Sequence, residues 1–235
     1  LQSFAYAASH DLQEPLRKIV AFSDRIIKKE ADNLNEQSLD YFSRIQRAAM
    51  RMQTLINDLL TYSRVTTQAQ PFAKVNLAVI AVEVISDLET LIERTNGKVE
   101  VDSLPEIEAD PTQIRQLFQN LISNGLKFHR PEVNPLVKIT ARVVNSEHTR
   151  LKWQREFLEL TFEDNGIGIE ERYFIKIFTV FQRLYGKDEY EGTGVGLSIC
   201  HKIIERHHGQ IKVESEPGKG SRFIVTLPIN QNRTS

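Results

Sequence analysis

The sequence predicts an α+β chain in which an antiparallel helical hairpin precedes a two-layer α/β sandwich. Residues 1–65 contain one Pro and no Gly, and their apolar residues recur at helical spacing. From residue 72 onward, helical and strand-like segments alternate, which is typical of a two-layer domain. The chain of 235 residues is long enough for one or two domains. We therefore expect a hairpin domain over 1–65, a linker over 66–71, a second domain over 72–229 and a tail over 230–235.

The hairpin has a wide apolar stripe. A turn at 32–35 supplies N-caps for the second helix, whose apolar residues alternate spacings of three and four. Two helices alone cannot bury so wide a stripe, so we expect two chains to pair as a four-helix bundle. The alternative is a hairpin packed on the rest of its own chain. The stripe comprises Leu1, Phe4, Ala5, Ala8, Leu12, Leu16, Ile19, Phe22 and Ile26, then Phe42, Ile45, Ala49, Met52, Ile56 and Leu59.

The second domain is predicted from alternation, helical spacing and caps. Asp110 and Pro111 are suited to the N-cap and first position of a helix that extends to about Phe128. Another helix is expected from Leu77 to about Arg94, and a last one over Gly194–His208. The predicted strands are Phe72–Leu77, Val99–Val101, Ile107–Ala109, Leu136–Val144, Phe157–Phe162, Gln210–Ser215 and Ser221–Leu227.

Composition excludes several classes of protein. Thirty basic and thirty-one acidic residues give a net charge of −1, which argues against a nucleic-acid binder. One cysteine, Cys200, excludes an internal disulfide and an all-thiolate metal site. No apolar run approaches the roughly 20 residues that a membrane span requires. The start at Leu1 has no basic leader, so we interpret it as a boundary inside a longer protein and expect a cytoplasmic fragment without membrane contact.

His10 lies opposite the apolar stripe of the first helix, so we expect its side chain to face solvent. Pro15 removes one helical amide nearby and favours a kink. Neutral imidazole is nucleophilic, and the adjacent Asp11 is placed to accept from its other ring N–H. A solvated surface histidine is the alternative.

A second candidate site lies on the helix that starts at Pro111. Asn120, Asn124 and Lys127 are spaced i, i+4 and i+7, so they share one face. Amide oxygens suit Mg²⁺, and an ammonium neutralises phosphate. An ordinary polar helix surface would show the same pattern.

Three glycine-containing segments follow. Asp164, Gly166 and Gly168 form a D-x-G-x-G turn whose carboxylate could accept from an exocyclic amine, although a tight turn alone explains it equally well. Ile177–Phe181 precedes a polar stretch at 184–191, which suits either a lid hinged at Gly186 and Gly192 or a surface loop. The segment Gly192-Thr193-Gly194-Val195-Gly196 opens a helix and presents amides to anions.

Together and in this order, these segments resemble the catalytic core of a sensor histidine kinase. Residues 9–16 resemble the H box of that family, and residues 120–128 its N box. The G1, F and G2 boxes are matched by 164–168, 177–181 and 192–196. The residue sequence His-Asp-Leu-Gln-Glu-Pro at 10–15 is similar to that of phytochrome-type and related bacterial hybrid kinases.

The resemblance implies a homodimeric phosphoacceptor hairpin and an ATP-binding domain of the Bergerat type. His10 would accept the γ-phosphoryl group of ATP, with Asp11 as its orienting base, and pass it to an Asp of a response-regulator receiver domain. Mg²⁺ would bind at Asn124. The residues implied in binding ATP are Asn120, Asn124, Lys127, Phe128, Asp164, Gly166, Gly168, Arg183, Gly192, Thr193, Gly194 and Gly196.

Two positions depart from the family pattern. Glu14 stands where many members have Thr or Asn, and a carboxylate cannot donate to water as those groups do. Phosphatase activity toward the regulator is therefore not predicted. Phe128 stands where Tyr is common and lacks its hydroxyl. The alternative functions are a Bergerat ATPase clamp, or a kinase-like scaffold without phosphohistidine chemistry.

Overall fold

The computed structural model describes residues 2–30, 33–145, 156–184, 190 and 192–231, with side chains except those of 2–10 and 145. The chain divides into two compact units, Leu1–Thr67 and Gln68–Ser235. The predicted fold class, a helical hairpin followed by a mixed α/β domain, is confirmed. No helix among the described residues is long and apolar enough to span a membrane.

The first unit consists of α1 (Gln2–Glu30) and α2 (Glu36–Thr67), which pack against each other. Asn35 caps α2, because its Oδ1 accepts from the amide of Ser38 at 2.8 Å. Helix α1 continues through Pro15. Helix α2 extends through Thr66 and Thr67, which the sequence assigned to the linker. Both threonine hydroxyls donate to the carbonyl of Ser63, which satisfies them within the last helical turn.

The second unit is built from two β-sheets and the helices that pack on them. Its elements are β1 (Ala73–Asn76), α3 (Leu77–Asp87), α4 (Glu89–Thr95), β2 (Lys98–Val101), β3 (Glu106–Ala109), α5 (Pro111–Lys127), β4 (Leu136–Asn145), β5 (Glu156–Asp164), α6 (Gly196–Arg206), β6 (Gln210–Glu216) and β7 (Gly220–Pro228). Short 3₁₀ helices lie at Glu171–Tyr173 and Lys176–Phe178.

Strands β1 and β3 pair antiparallel, and the main sheet has the order β2-β4-β5-β7-β6. Among these strands β2 and β4 run parallel, and the other neighbours in the main sheet are antiparallel. Phe162 faces Phe223 across β5 and β7 and meets Phe118 of α5 edge to face, with ring centroids 5.1 Å apart. These three rings place the core between the sheet and the helices.

Two predicted helix boundaries were wrong for local backbone reasons. The single helix expected from Leu77 to about Arg94 breaks at Leu88, whose side chain is buried and whose φ and ψ are −93° and 5°. The last helix begins at Gly196 instead of Gly194, because Gly194 has a φ of 77°, outside the right-handed helical region.

Candidate functional site

His10 belongs to α1, and its side chain lies outside the described part of the chain. The prediction that it faces solvent therefore remains a prediction. Asp11, the next residue, has an exposed side chain. Glu14 pairs with Lys18 one turn later, with 2.7 Å between Oε1 and Nζ. Both of those side chains are solvated, so the pair contributes little to stability.

The polar face of α5 meets the start of α6. The Asn120 amide donates from Nδ2 to the carbonyl of Gly196 at 3.1 Å and accepts at Oδ1 from Gln116 at 3.0 Å. A Cβ placed on Gly196 would lie 3.7 Å from Asn120 Cγ, in ordinary contact. The fold thus brings the predicted N-box residue Asn120 and the G2-box residue Gly196 together.

Asn124 and Lys127 lie further along the same helix, and both are half-buried. Within the described part of the chain, the Asn124 side chain makes no hydrogen bond, unlike that of Asn120. The Asn124 oxygen is therefore available to a ligand, as the sequence predicted for a hard cation.

Asp164 ends β5 and is held by two backbone amides. Its Oδ1 accepts from Gly166 at 2.9 Å and from Ser221 at 3.1 Å. Burial raises the pKa of this carboxyl from 3.8 to about 6, and the two amide hydrogen bonds oppose that shift only in part. Its other oxygen, Oδ2, accepts no hydrogen bond from the described residues. It can therefore accept from a ligand amine.

Close backbone approach explains the glycines around Asp164. A Cβ on Gly166 would lie 2.3 Å from the carbonyl oxygen of Phe128, and one on Gly168 would lie 2.1 Å from that of Glu216. Gly168 also has a φ of 72°. Gly220, the first residue of β7, would place a Cβ 1.9 Å from the Asp164 carbonyl oxygen. The start of β7 therefore packs against Asp164, a contact that the sequence did not predict.

Arg183 holds the segment that leads to α6. Its guanidinium donates from Nη1 to the carbonyl of Gly192 and from Nη2 to that of Tyr190, each at 2.7 Å. A Cβ on Gly192 would meet none of the described atoms within 4 Å, whereas one on Gly194 would lie 2.7 Å from the Gln182 carbonyl oxygen. Arg183, expected near a phosphate, thus lies beside the glycines of the G2 box, and it bonds the backbone of Gly192.

Tyr190 is a pocket residue that sequence reasoning missed. Its ring lies 5.2 Å from that of Phe128, centroid to centroid, and its hydroxyl donates to the carbonyl of His129 at 3.2 Å. An aromatic residue inside an otherwise polar stretch was the available signal. Thr193 is half-buried, and the expected hinge Gly186 lies outside the described residues.

The sequence of residues 177–181 contains two aromatics, Phe178 and Phe181, that could each anchor the polar loop that follows, and the structure distinguishes them. Phe178 packs beside His201, with ring centroids 5.7 Å apart, and the neighbouring Ile177 is buried. Phe181 is 54% exposed and has a positive φ of 64°, so its predicted anchoring role is wrong.

Two side chains of α6 and its C-cap, those of Cys200 and His207, are buried. Burial raises the pKa of the Cys200 thiol to about 12, which keeps it protonated and gives it a packing role. The position of His207 just before Gly209 predicts a solvated helix end, yet this side chain is fully buried. It donates from Nδ1 to the Ile203 carbonyl and accepts at Nε2 from the Asp110 amide.

Sequence comparison supplies the family. Residues 109–231 match the model for histidine kinase-, DNA gyrase B- and HSP90-like ATPases, and residues 1–68 match the His Kinase A (phospho-acceptor) domain. The chain belongs to the sensor histidine kinases. It contains the phosphoacceptor and ATP-binding domains of a protein-histidine kinase of two-component signal transduction.

The curated relatives of this histidine kinase core include cyanobacterial proteins. It is 40% identical over 232 residues to the phytochrome-like protein Cph1 of Synechocystis, covering 97% of this chain and 29% of that one. It is 30% identical over 241 residues to the circadian input-output histidine kinase CikA of Synechococcus elongatus, covering 96% and 29%. The chain thus spans less than a third of each of these relatives.

Solved structures agree on the fold. The kinase core superposes on full-length ShkA, solved in complex with AMPPNP, with a TM-score of 0.72 at 20% identity, covering 99% of this chain and 47% of that one. The catalytic domain of the histidine kinase ThkA matches with a TM-score of 0.53 at 30% identity, covering 68% of this chain and 97% of that one.

Proposed function

We propose that this kinase core phosphorylates its own His10 with ATP in a homodimer and passes the phosphoryl group to an Asp of a response-regulator receiver domain. The observation that carries the proposal is the environment of Asp164. Two backbone amides fix one carboxylate oxygen, and the other oxygen remains available to a ligand. A carboxylate held in this way suits the exocyclic amine of adenine.

The phosphate end of the nucleotide would lie along α5. Asn124 offers an amide oxygen to Mg²⁺, and Lys127 offers positive charge to the phosphates. Bound Mg²⁺ would supply charge neutralisation during transfer. The backbone from Gly192 to Gly196, including Thr193 and Gly194, precedes α6 and would approach the phosphates. In this arrangement Arg183 would act by ordering that backbone.

The transfer step needs an activated imidazole. A ring nitrogen of His10 would attack the γ-phosphorus, so a P–N bond forms while the bond from phosphorus to the β–γ bridging oxygen breaks and ADP leaves. Asp11 would accept from the other ring N–H and stabilise the positive charge that develops on the ring. The same P–N bond would later break as a regulator carboxylate attacks phosphorus.

The exposed apolar side chains of the hairpin support the proposed homodimer. On α2 the predicted stripe splits into two sets: Ala49 is 4% exposed, whereas Ile45, Met52 and Leu59 are 45–50% exposed. On α1, Leu16 is buried while Leu12 and Phe22 are more than half exposed. One hairpin therefore leaves an apolar set at heptad spacing, and a second copy would bury it.

Labelling with radioactive Mg·ATP tests the reaction. We expect acid-labile phosphate on the wild-type chain, none on His10→Gln, and retained nucleotide binding in that variant. His208→Gln is the matched control, since His208 is exposed on the other unit. Labelled His10→Gln would overturn the assignment, and steady ATP hydrolysis without phosphohistidine would favour an ATPase clamp.

A mixed dimer tests whether phosphoryl transfer occurs within one chain or across the dimer. One chain carries His10→Gln and the other Asn124→Asp, so each has lost a different function. If transfer occurs across the dimer, the Asn124→Asp chain becomes labelled; if it occurs within one chain, neither is labelled. Monomeric wild-type protein that labels fully would refute the dimer requirement.

A further inference from the structure

The chain that enters the ATP-binding unit is held at Gln70 by both of its backbone groups. The amide of Gln70 donates to Asp110 Oδ2 at 2.8 Å, and its carbonyl accepts from Arg206 Nη2 at 2.7 Å. Gln70 itself is exposed. Its backbone is thus fixed by side chains from α6 and from the residue that caps α5.

The side chains that hold Gln70 form an ion pair in which the carboxylate is buried and the guanidinium is half-buried. Arg206 Nη1 lies 3.1 Å from Asp110 Oδ2 and donates to Gln113 Oε1 at 2.9 Å. Asp110 is 1% exposed and Arg206 is 19% exposed. The remaining oxygen of Asp110, Oδ1, caps α5 by accepting from the amides of Thr112 and Gln113. A buried pair with its other hydrogen bonds satisfied holds its geometry firmly, and removing one partner is costly.

Phe72 is fixed by the same group of residues. The Arg206 guanidinium lies 4.8 Å from the centre of its ring, and the ring of His207 lies 4.9 Å away. The Nε2 of His207 accepts from the Asp110 amide at 3.0 Å, which ties the end of α6 to the start of α5. Both Gln70 and Phe72 are therefore anchored before β1 begins at Ala73.

We propose that Arg206 is a positioning residue for phosphoryl transfer, because it confines the pivot between the two units to residues 68–69. Helix α2 ends at Thr67, and the clamp formed by Arg206 and Asp110 begins at Gln70. The proposal rests on the proposed function, in which the ATP-binding unit must deliver its nucleotide to His10. A short pivot keeps the two reacting groups at high effective concentration.

The size of the effect follows from chain statistics. Loss of Arg206 removes the donor to the Gln70 carbonyl and the cation above the Phe72 ring, while Asp110 still accepts from the Gln70 amide. The largest possible release covers residues 68–72, so the free segment grows at most from two residues to five. Effective concentration falls roughly as the −3/2 power of length for a flexible chain, which sets an upper bound of about a fourfold loss. After insertion of twelve Gly/Ser residues behind Gln68, the free segment has 14 residues with Arg206 present and at most 17 residues without it. The same formula then gives a loss of only about 1.3-fold.

The test compares Arg206→Ala with wild type in the natural chain and in the chain with the twelve-residue insertion. We expect autophosphorylation at saturating ATP to slow by up to about fourfold in the natural chain and by at most about 1.3-fold in the inserted chain, with an ATP Kd within about twofold throughout. Arg206→Lys should lie between, because one ammonium replaces a fork that serves three acceptors. Gln70→Ala, which keeps both backbone groups, should match wild type.

Three results would overturn the proposal: an unchanged rate in Arg206→Ala, an equal loss in both linker lengths, or a weakened ATP affinity that accounts for the loss. Limited proteolysis provides a readout without catalysis, since Arg206→Ala should be cut faster within 68–72 and Gln70→Ala should not. A wild-type chain that makes no phosphohistidine would refute the proposed function, and this role of Arg206 with it. Normal labelling with no Arg206 effect would refute the clamp alone.

Discussion

The raised pKa of Asp164 leads to a pH-dependent affinity for ATP. Because Oδ1 accepts from two backbone amides, the proton of the neutral carboxyl falls on Oδ2, which then presents an O–H donor to the adenine amine. With a pKa of about 6, roughly 97% is ionised at pH 7.5 but only about 9% at pH 5. We therefore expect the affinity of the wild-type chain to fall about tenfold between these values. An ordinary carboxyl with a pKa of 3.8 would stay more than about 90% ionised at pH 5.

The assay is titration of a fluorescent ATP analogue with wild-type protein and Asp164→Asn at several pH values. In the variant the amide oxygen takes the place of Oδ1, which leaves an NH₂ group facing the adenine amine. We expect Asp164→Asn to bind more weakly, with an affinity that does not depend on protonation of residue 164. Protonation of the ATP phosphates affects both proteins equally, so the difference between their pH profiles isolates the effect of Asp164. An equal pH dependence in wild type and variant would refute the reasoning.

The contribution of Asp164 to the free energy of unfolding should change with pH in the direction opposite to its contribution to ATP affinity. Since the folded-state pKa lies above the unfolded value, the folded chain binds the extra proton between about pH 4 and pH 6. This group therefore favours folding fully below about pH 4, and that contribution is lost as the pH rises through about 6. Chemical denaturation of the wild-type chain and Asp164→Asn should show it. A difference in unfolding free energy that does not change with pH would contradict the assignment.

Further predictions concern packing and assembly. Gly168→Ala should lower the free energy of unfolding by more than about 3 kcal/mol, because its Cβ would clash with the Glu216 carbonyl. Gly218→Ala has a similar positive φ but open space around the Cβ, so it should lower that free energy by about 1–2 kcal/mol. Chemical denaturation measures both, and equal losses would refute the clash. Phe118→Ala should lower the free energy of unfolding by about 3–5 kcal/mol, and a loss below about 1 kcal/mol would contradict its place in the core. Met52→Lys places a charge on the exposed apolar set of α2, so the protein should sediment as a monomer instead of a dimer. An unchanged dimer would exclude this helix face as the dimer interface.

Local chemistry determined much of the fold. Asp110 followed by Pro111 predicts a helix start, and the structure has Asp110 as the N-cap. The alternating strands were also predicted, because the side-chain period acts over a few positions. The break at Leu88 was not predicted, because the apolar residues of Leu77–Arg94 keep helical spacing across it; the backbone leaves the helix there, with Leu88 at φ −93° and ψ 5°.

The sequence by itself determined which residues carry the candidate chemistry, because Asn120, Asn124, Asp164 and the glycines occur in a specific order and spacing. Tertiary structure alone decided what surrounds them. Ser221 and Gly220 reach Asp164 only because β5 and β7 are neighbours in the sheet. The Arg206 clamp likewise joins residues more than a hundred positions apart. Such contacts depend on packing across the whole domain, which local spacing does not encode.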